Sequence, residues 1–172
     1  MTQYETEQLL TTTIHILSKD IYRTKNVDGL ILHNLKKSTE GCCGKSGYIV
    51  FDSTSIVQRS AGTILTLDGE NVIQYNITYK VTSINPKKND IYECVVDSIT
   101  KMGLIAYLDV KGKDYDTKSS PILFIIPQEY LGDHDIDTFN EGRGIRVKIL
   151  ETRKKYRSIQ IQAVAAFVEF VE

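Results

Sequence analysis

The sequence predicts an α+β fold in which a sheet with one main helix precedes an all-β barrel of the OB type. Three observations indicate it. Apolar residues are spaced by four in one early segment, and they alternate with polar residues in several later segments. A turn-prone polar run, Asn85–Asp90, separates the two parts. We therefore expect two domains, residues 1–85 and 86–172, each with a modest core.

The main helix is indicated by an apolar stripe. Val27, Ile31 and Leu35 recur at i, i+4 and i+8, which places them on one face of a helix. Asn26 is a suitable N-cap, and Gly41 stands where a helix would end.

Strand-like segments surround this helix. Runs rich in β-branched and aromatic residues bounded by polar turns are typical of strands. Asp68-Gly69 is a hairpin-turn signal. The strands expected in the first domain are Glu7–Leu17, Tyr48–Phe51, Ser55–Arg59 and Val72–Ile84.

The pattern of the second domain predicts five short strands with a helical turn after the third. This order of elements is typical of an OB-type barrel. Alternating apolar and polar residues mark half-buried strands. The expected elements are Ile91–Thr100, Gly103–Val110, Leu123–Ile126, a helical turn at Gln128–Leu131, then strands around Ile145–Ile149 and Ile159–Gln162.

Composition excludes several function classes. The 172 residues carry 21 basic and 22 acidic side chains, and both halves are close to neutral, so nucleic-acid binding would have to be local and weak. No signal peptide and no run long enough to span a bilayer is evident, so we expect neither secretion nor a membrane. Two neighbouring cysteines, Cys42 and Cys43, and the distant Cys94 lack zinc spacing, which predicts reduced thiols.

No catalytic motif stands out. Gly44-Lys45-Ser46 resembles the end of a phosphate-binding loop, but the earlier glycine of that pattern is replaced by Thr39. A helix also precedes this loop, whereas a phosphate site needs a helix to follow it. We expect no enzymatic activity, no cofactor and no metal.

Two segments are candidate interaction sites. Gly41–Tyr48 contains three glycines, which indicates either close docking of another protein or a helix cap followed by a tight turn. Arg153–Arg157 is either a solvated hairpin tip or a phosphate-binding loop. On the second interpretation, Arg146, Lys148, Lys155 and Arg157 would hold single-stranded RNA beside the barrel.

The order of motifs along the chain resembles the stalk subunit of multisubunit RNA polymerases, the family that includes the seventh subunit of polymerase II and its archaeal counterpart. Glu40–Ile49 is similar to that family's Glu-Gly-x-Cys-x-Gly-Lys-x-Gly-Tyr-Ile segment, shortened by one residue. Gly62–Gly69 resembles its Gly-x-Ile-Leu-x-x-Asp-Gly motif. Asp90–Leu108 follows the first hairpin of an S1-type barrel, and Ile145–Ile149 resembles the fourth barrel strand.

The resemblance implies a non-catalytic subunit with a tip domain and an S1 domain. It implies that the tip docks on the polymerase core near the clamp, and that the S1 face lies along the path of the exiting transcript. It also implies a small helical partner, equivalent to the fourth subunit of polymerase II or to the archaeal counterpart of that subunit. The expected core-docking residues are Gly41, Gly44, Lys45, Gly47 and Tyr48.

Two departures from the family pattern affect the expected RNA affinity and loop mobility. Gly103 is followed by Leu104, Ile105 and Ala106 instead of aromatics, which predicts weak RNA binding. Lys111–Pro121 is a long polar loop, which we expect to be the most mobile.

Frequent Ile, Lys and Asn favour an AT-rich genome, such as that of a large DNA virus. A viral protein would then be located in the virion or in the host cytoplasm or nucleus, and a cellular eukaryotic protein in the nucleus. The alternatives are a free-standing S1-type RNA-binding protein of translation or RNA decay, or an enzyme with an appended OB domain.

Overall fold

The computed structural model describes residues 3–110 and 114–171. These residues form a mostly β protein that divides into two compact units. One unit comprises residues 5–41 and 49–83, and the other comprises the described parts of residues 1–4, 42–48 and 84–172. The domain boundary expected at residue 85 stays a prediction. No helix in the described ranges is both long enough and apolar enough to cross a membrane.

A six-stranded sheet with two helices dominates the N-terminal half. In chain order its elements are β1 (Glu5–Leu17), α1 (Ser18–Arg23), α2 (Val27–Thr39), β2 (Cys43–Gly44), β3 (Gly47–Ile49), β4 (Ser55–Arg59), β5 (Thr63–Leu67) and β6 (Glu70–Ile84). The sheet order is β1-β6-β3-β2, and β4 and β5 also pair with β6.

Helix α2 forms where the stripe predicts it. The Asn26 side chain accepts a hydrogen bond from the Gly29 N–H at 2.9 Å, so the predicted N-cap is confirmed. Ile31 and Leu35 are buried and pack against the sheet residues Ile77 and Val81. Burial of this stripe packs the helix against the sheet. This packing is needed because a helix of 13 residues has only marginal stability in isolation.

Strand β5 and helix α1 were not predicted. β5 pairs with β6 from Thr63↔Gln74 to Leu67↔Glu70, so the Asp68-Gly69 turn joins β5 to β6. Both turn residues have positive φ, 50° and 80°, as a two-residue hairpin of the primed type requires. The turn prediction was therefore right, and the strand before it was missed.

The second unit contains a closed five-stranded barrel. Its strands are β7 (Ile91–Thr100), β8 (Gly103–Leu108), β9 (Ile122–Pro127), β10 (Gly144–Arg153) and β11 (Ile161–Phe170), with 3-10 turns at Gln128–Tyr130 and Ile136–Thr138. Around the barrel the order is β10-β11-β9-β8-β7. All pairs are antiparallel except β9 with β11, which is parallel. This arrangement is compatible with an OB-like barrel.

Alternating residues fill the barrel. Phe124, Ile145 and Ile149, among others, are fully buried, as the alternation predicts. The last strand begins at Ile161, and Ile159, which was expected within it, precedes it and is 66 % exposed. Part of the loop expected to be mobile, residues 111–113, lies outside the described residues.

Candidate functional site

Strands β2 and β3 form a small hairpin that contains most of the expected docking segment. Cys43 pairs with Tyr48 and Gly44 pairs with Gly47, so Lys45 and Ser46 form its tip. Gly47 and Tyr48 are buried, and this burial raises the pKa of the Tyr48 phenol to about 12. Of the five residues expected to dock, Lys45 is the one that presents an exposed charged side chain.

Two of the segment's glycines are required by the fold itself. Gly41 has φ +70°, and a Cβ there would lie 2.1 Å from the Phe51 ring. Gly47 has φ +104°, and its Cβ would lie 2.4 Å from the carbonyl oxygen of Ile84. Gly44 differs, since a Cβ there would meet nothing within 4 Å. The turn interpretation thus accounts for Gly41 and Gly47 without a docking partner.

Backbone hydrogen bonds join this hairpin to the loop between β10 and β11. The Cys43 N–H donates to the Ser158 carbonyl at 2.7 Å, and the Arg157 N–H donates to the Cys43 carbonyl at 2.9 Å. The structure thereby places the two candidate interaction segments, Gly41–Tyr48 and Arg153–Arg157, next to each other. We call this surface the basic edge, defined by Lys45, Lys154, Lys155, Tyr156 and Arg157.

The basic edge presents an aromatic side chain among its cations. Tyr156 is 71 % exposed, and the Arg157 guanidinium carbon lies 5.9 Å from the centre of its ring. Lys155 is also exposed, whereas Lys154 donates a hydrogen bond to the Asn85 side chain. Exposed cations around an aromatic ring can hold a phosphate backbone and stack a base, which is how single strands are bound without sequence preference.

The other two expected RNA-binding residues lie elsewhere on β10. Arg146 donates two hydrogen bonds to Glu93, at 3.0 and 2.8 Å, and one to Glu169 at 2.6 Å. These bonds, chiefly those to Glu93, raise the pKa of Arg146. Arg146 also precedes Arg153 by seven residues, roughly 23 Å along a strand. Lys148 is exposed on the same strand, so the four expected residues do not form one group.

Two observations concern metal binding and thiol chemistry among the described residues. Within residues 3–110 and 114–171, no group of three or more His, Cys, Asp or Glu side chains could hold a metal ion. Burial raises the pKa of the Cys43 thiol to about 11, so little nucleophilic thiolate forms at neutral pH. The burial of Cys94 also raises the pKa of its thiol.

The fold thus combines a sheet unit with an OB-like barrel unit that carries the basic edge. No protein-family model matches the sequence. Over 86 residues the chain is 31% identical to DNA-directed RNA polymerase II subunit RPB7 of Glycine max, an alignment that covers 49% of this chain and 47% of that protein. The chain therefore spans about half the length of this curated relative.

Among solved structures, an uncharacterized protein from Methanocaldococcus jannaschii is 15% identical, with a TM-score of 0.38. That match covers 49% of this chain and 96% of the archaeal one.

Proposed function

We propose that this chain is a non-catalytic, RPB7-like stalk subunit of a DNA-directed RNA polymerase. The observation that carries the proposal is the 31% identity to an RNA polymerase II subunit over half of the chain. The barrel is compatible with the S1-type domain expected of such a subunit.

The partners follow from the same proposal. The polymerase core binds the N-terminal half near the clamp, and a small helical protein of the fourth-subunit type completes the stalk. The exposed Lys45 at the hairpin tip is the side chain of the docking segment best placed for a charged contact with the core. The protein acts in the nucleus of a eukaryotic cell, or in the virion or infected host cell if it is a viral copy.

Nascent RNA is the second ligand that we propose, and the basic edge is its site. Lys155 and Arg157 supply cations, and Tyr156 supplies a ring for stacking. Arg146 is already held by two carboxylates. Lys148 is exposed on the same strand, and we assign the RNA contact to the loop residues instead. Binding is weak because few cations take part, and it depends on salt because those cations contact phosphates.

Purification of the tagged, full-length protein from its native source tests the proposal. We expect the large catalytic subunits of an RNA polymerase to co-elute in amounts comparable to the tagged chain, as measured by mass spectrometry. An unrelated tagged protein of similar charge serves as the control for non-specific recovery. Recovery of ribosomes or of exonuclease subunits without polymerase would instead support the alternative function, a free-standing S1-type RNA-binding protein.

A further inference from the structure

The loop between β10 and β11, which carries most of the basic edge, is hydrogen-bonded to the barrel unit on two sides. On one side it contacts the β2–β3 hairpin through the N–H and the carbonyl of Cys43. On the other side the side chain of Gln160 reaches the segment before β9. Its amide nitrogen donates to the carbonyl oxygens of Thr117 and Ser120, the second at 3.0 Å. Both N–H donors of this amide are therefore used.

The acceptors of Gln160 lie in a turn that is fixed to two barrel strands. Ser120 is fully buried, and its hydroxyl accepts a hydrogen bond from the Leu108 N–H at 3.1 Å and donates one to the Ile122 carbonyl at 2.8 Å. Leu108 ends β8, and Ile122 begins β9. Gln160 therefore connects the loop to a point that the barrel itself holds in place.

The backbone of this loop has a conformation that needs support. Arg157 has φ +60°, which is uncommon and unfavourable for a residue other than glycine. The Ser158 N–H closes the turn by donating to the Lys155 carbonyl at 2.9 Å. The Ser158 hydroxyl donates to the Gln160 carbonyl at 2.6 Å and accepts from the Gln160 N–H at 3.3 Å. The conformation persists because hydrogen bonds hold the turn from both sides.

We infer that Gln160 is a positioning residue for RNA binding, which holds Tyr156 and Arg157 in the geometry that a single strand contacts. The inference rests on the RNA contact proposed for the basic edge. Gln160 is uncharged and half-buried, and its amide is directed at protein carbonyls. It therefore acts through the loop, because a loop that is ordered before binding loses less entropy when the RNA binds.

Gln160→Met in the full-length protein tests the inference, because it keeps the length of the side chain and removes both donors. We expect the dissociation constant for a fluorescent single-stranded oligouridine to rise about three- to tenfold, since apparent affinity falls with the population of the ordered loop. The slope of log affinity against log salt should stay unchanged, because no phosphate contact is removed. Gln162→Met, at an exposed glutamine on β11, is the matched control and should leave the affinity unchanged.

Amide hydrogen exchange separates this role from a general loss of barrel stability. In Gln160→Met the N–H groups of Arg157 and Ser158 should exchange about fivefold faster or more, while the amides of β7 and β10 keep their rates. Ser158→Ala removes the hydroxyl that bridges to Gln160 and should have the same effects on exchange and on RNA affinity. It serves as the test if Gln160→Met does not fold.

The possible results distinguish the inference from the proposal on which it rests. Unchanged RNA affinity, a reduced salt slope, or faster exchange throughout β7 and β10 in Gln160→Met overturns the inference. A loss of affinity without faster exchange at Arg157 and Ser158, or an equal loss in Gln162→Met, overturns it as well. If the natural protein does not bind the oligouridine, or if Lys155→Glu with Arg157→Glu leaves binding intact, the RNA contact itself is wrong and the inference falls with it.

Discussion

At the scale of single residues, two glycines hold backbone positions that no other residue fits. Gly103 has φ +141°, and a Cβ there would lie 2.1 Å from the carbonyl oxygen of Ile126. Gly47 faces the Ile84 carbonyl in the same way. These contacts involve backbone atoms, so rotation of a side chain cannot relieve them.

Alanine at either position should therefore destabilise the protein. We expect Gly47→Ala and Gly103→Ala each to lower the free energy of unfolding by about 1–3 kcal/mol, the cost of a residue held in a sparsely populated conformation. Gly44→Ala is the matched control, because its Cβ would meet open space, and it should leave stability nearly unchanged. Urea denaturation measures all three. Equal effects at Gly44 and Gly47 would contradict the geometry.

Asp116 organises a turn that should depend on pH. Its carboxylate accepts hydrogen bonds from the Lys118 N–H at 2.9 Å, and from the Ser119 N–H and hydroxyl at 2.7 Å each. The hydrogen bonds to Ser119 are the main reason that the pKa of Asp116 is lowered. A lowered pKa means that the ionised form stabilises the fold, and that this contribution is lost as the pH falls through the folded-state pKa.

Asp116→Asn should consequently be less stable than the natural protein at pH 7. The difference should narrow below about pH 4, where the natural carboxyl also becomes protonated. Asp114→Asn, on the same loop, is the control because that residue is outside the turn's hydrogen bonds. Thermal unfolding of the three proteins from pH 3 to pH 7 measures the effect, and a gap that widens toward acid would show the sign to be wrong.

At the scale of elements, local signals determined what the sequence could predict. Helix α2 was predicted because a stripe, a cap and a closing glycine all agree. Helix α1 has six residues, too few for a periodic pattern to show. Strand β5 was missed because its apolar residues, Ile64, Leu65 and Leu67, do not alternate regularly with polar ones. Strand β7 was predicted at its observed ends because Asp90 and the Lys101-Met102 turn bound it.

The candidate site was harder to predict than the strands. The hydrogen bonds between Cys43 and residues 157–158 join segments more than 110 positions apart, and no periodicity indicates such a pair. The pairing of Arg146 with Glu93 and Glu169 likewise depends on which strands are neighbours in the barrel. The sequence therefore shows that Arg146 is charged, but it does not show which carboxylates pair with it.

The cap of α2 offers a test at this scale. Asn26→Ala removes the acceptor for the Gly29 N–H and should lower the free energy of unfolding by about 1 kcal/mol. Asn26→Asp keeps a capping oxygen and should retain most of the stability. Lys37→Ala, at an exposed position of the same helix, controls for a general loss of helix stability. An alanine variant as stable as the aspartate variant would show that the cap contributes nothing.

At the scale of the whole molecule, the basic edge would serve two ligands through different residues. Lys45 is at the hairpin tip, while Lys155, Tyr156 and Arg157 belong to the adjoining loop. All four are exposed, so charge reversal at these positions leaves the core intact. The expected docking segment also contains Gly47, which is unsuitable for such a test because its substitution strains the fold.

Charge reversals at these positions should separate core docking from RNA binding. Lys45→Glu should reduce recovery of polymerase subunits several-fold and leave RNA affinity nearly unchanged. Lys155→Glu with Arg157→Glu should do the reverse. The double variant should weaken binding of single-stranded RNA. It should also reduce the magnitude of the slope of log affinity against log salt by about 1.4, because each of the two lost phosphate contacts contributes about 0.7. Tyr156→Ala should cost about 1–3 kcal/mol of RNA binding with the salt slope unchanged.

Lys148→Glu is the matched control, because Lys148 is exposed on β10 and precedes Arg153 by five residues, roughly 16 Å along the strand. Fluorescence anisotropy at two salt concentrations measures RNA binding, and affinity purification measures assembly. If Lys148→Glu weakened RNA binding as much as the double variant, the RNA would lie along β10 and not on the basic edge. If Lys45→Glu assembled normally, the hairpin would be only the turn that Gly41 and Gly47 already require, and the core contact would have to lie on another surface.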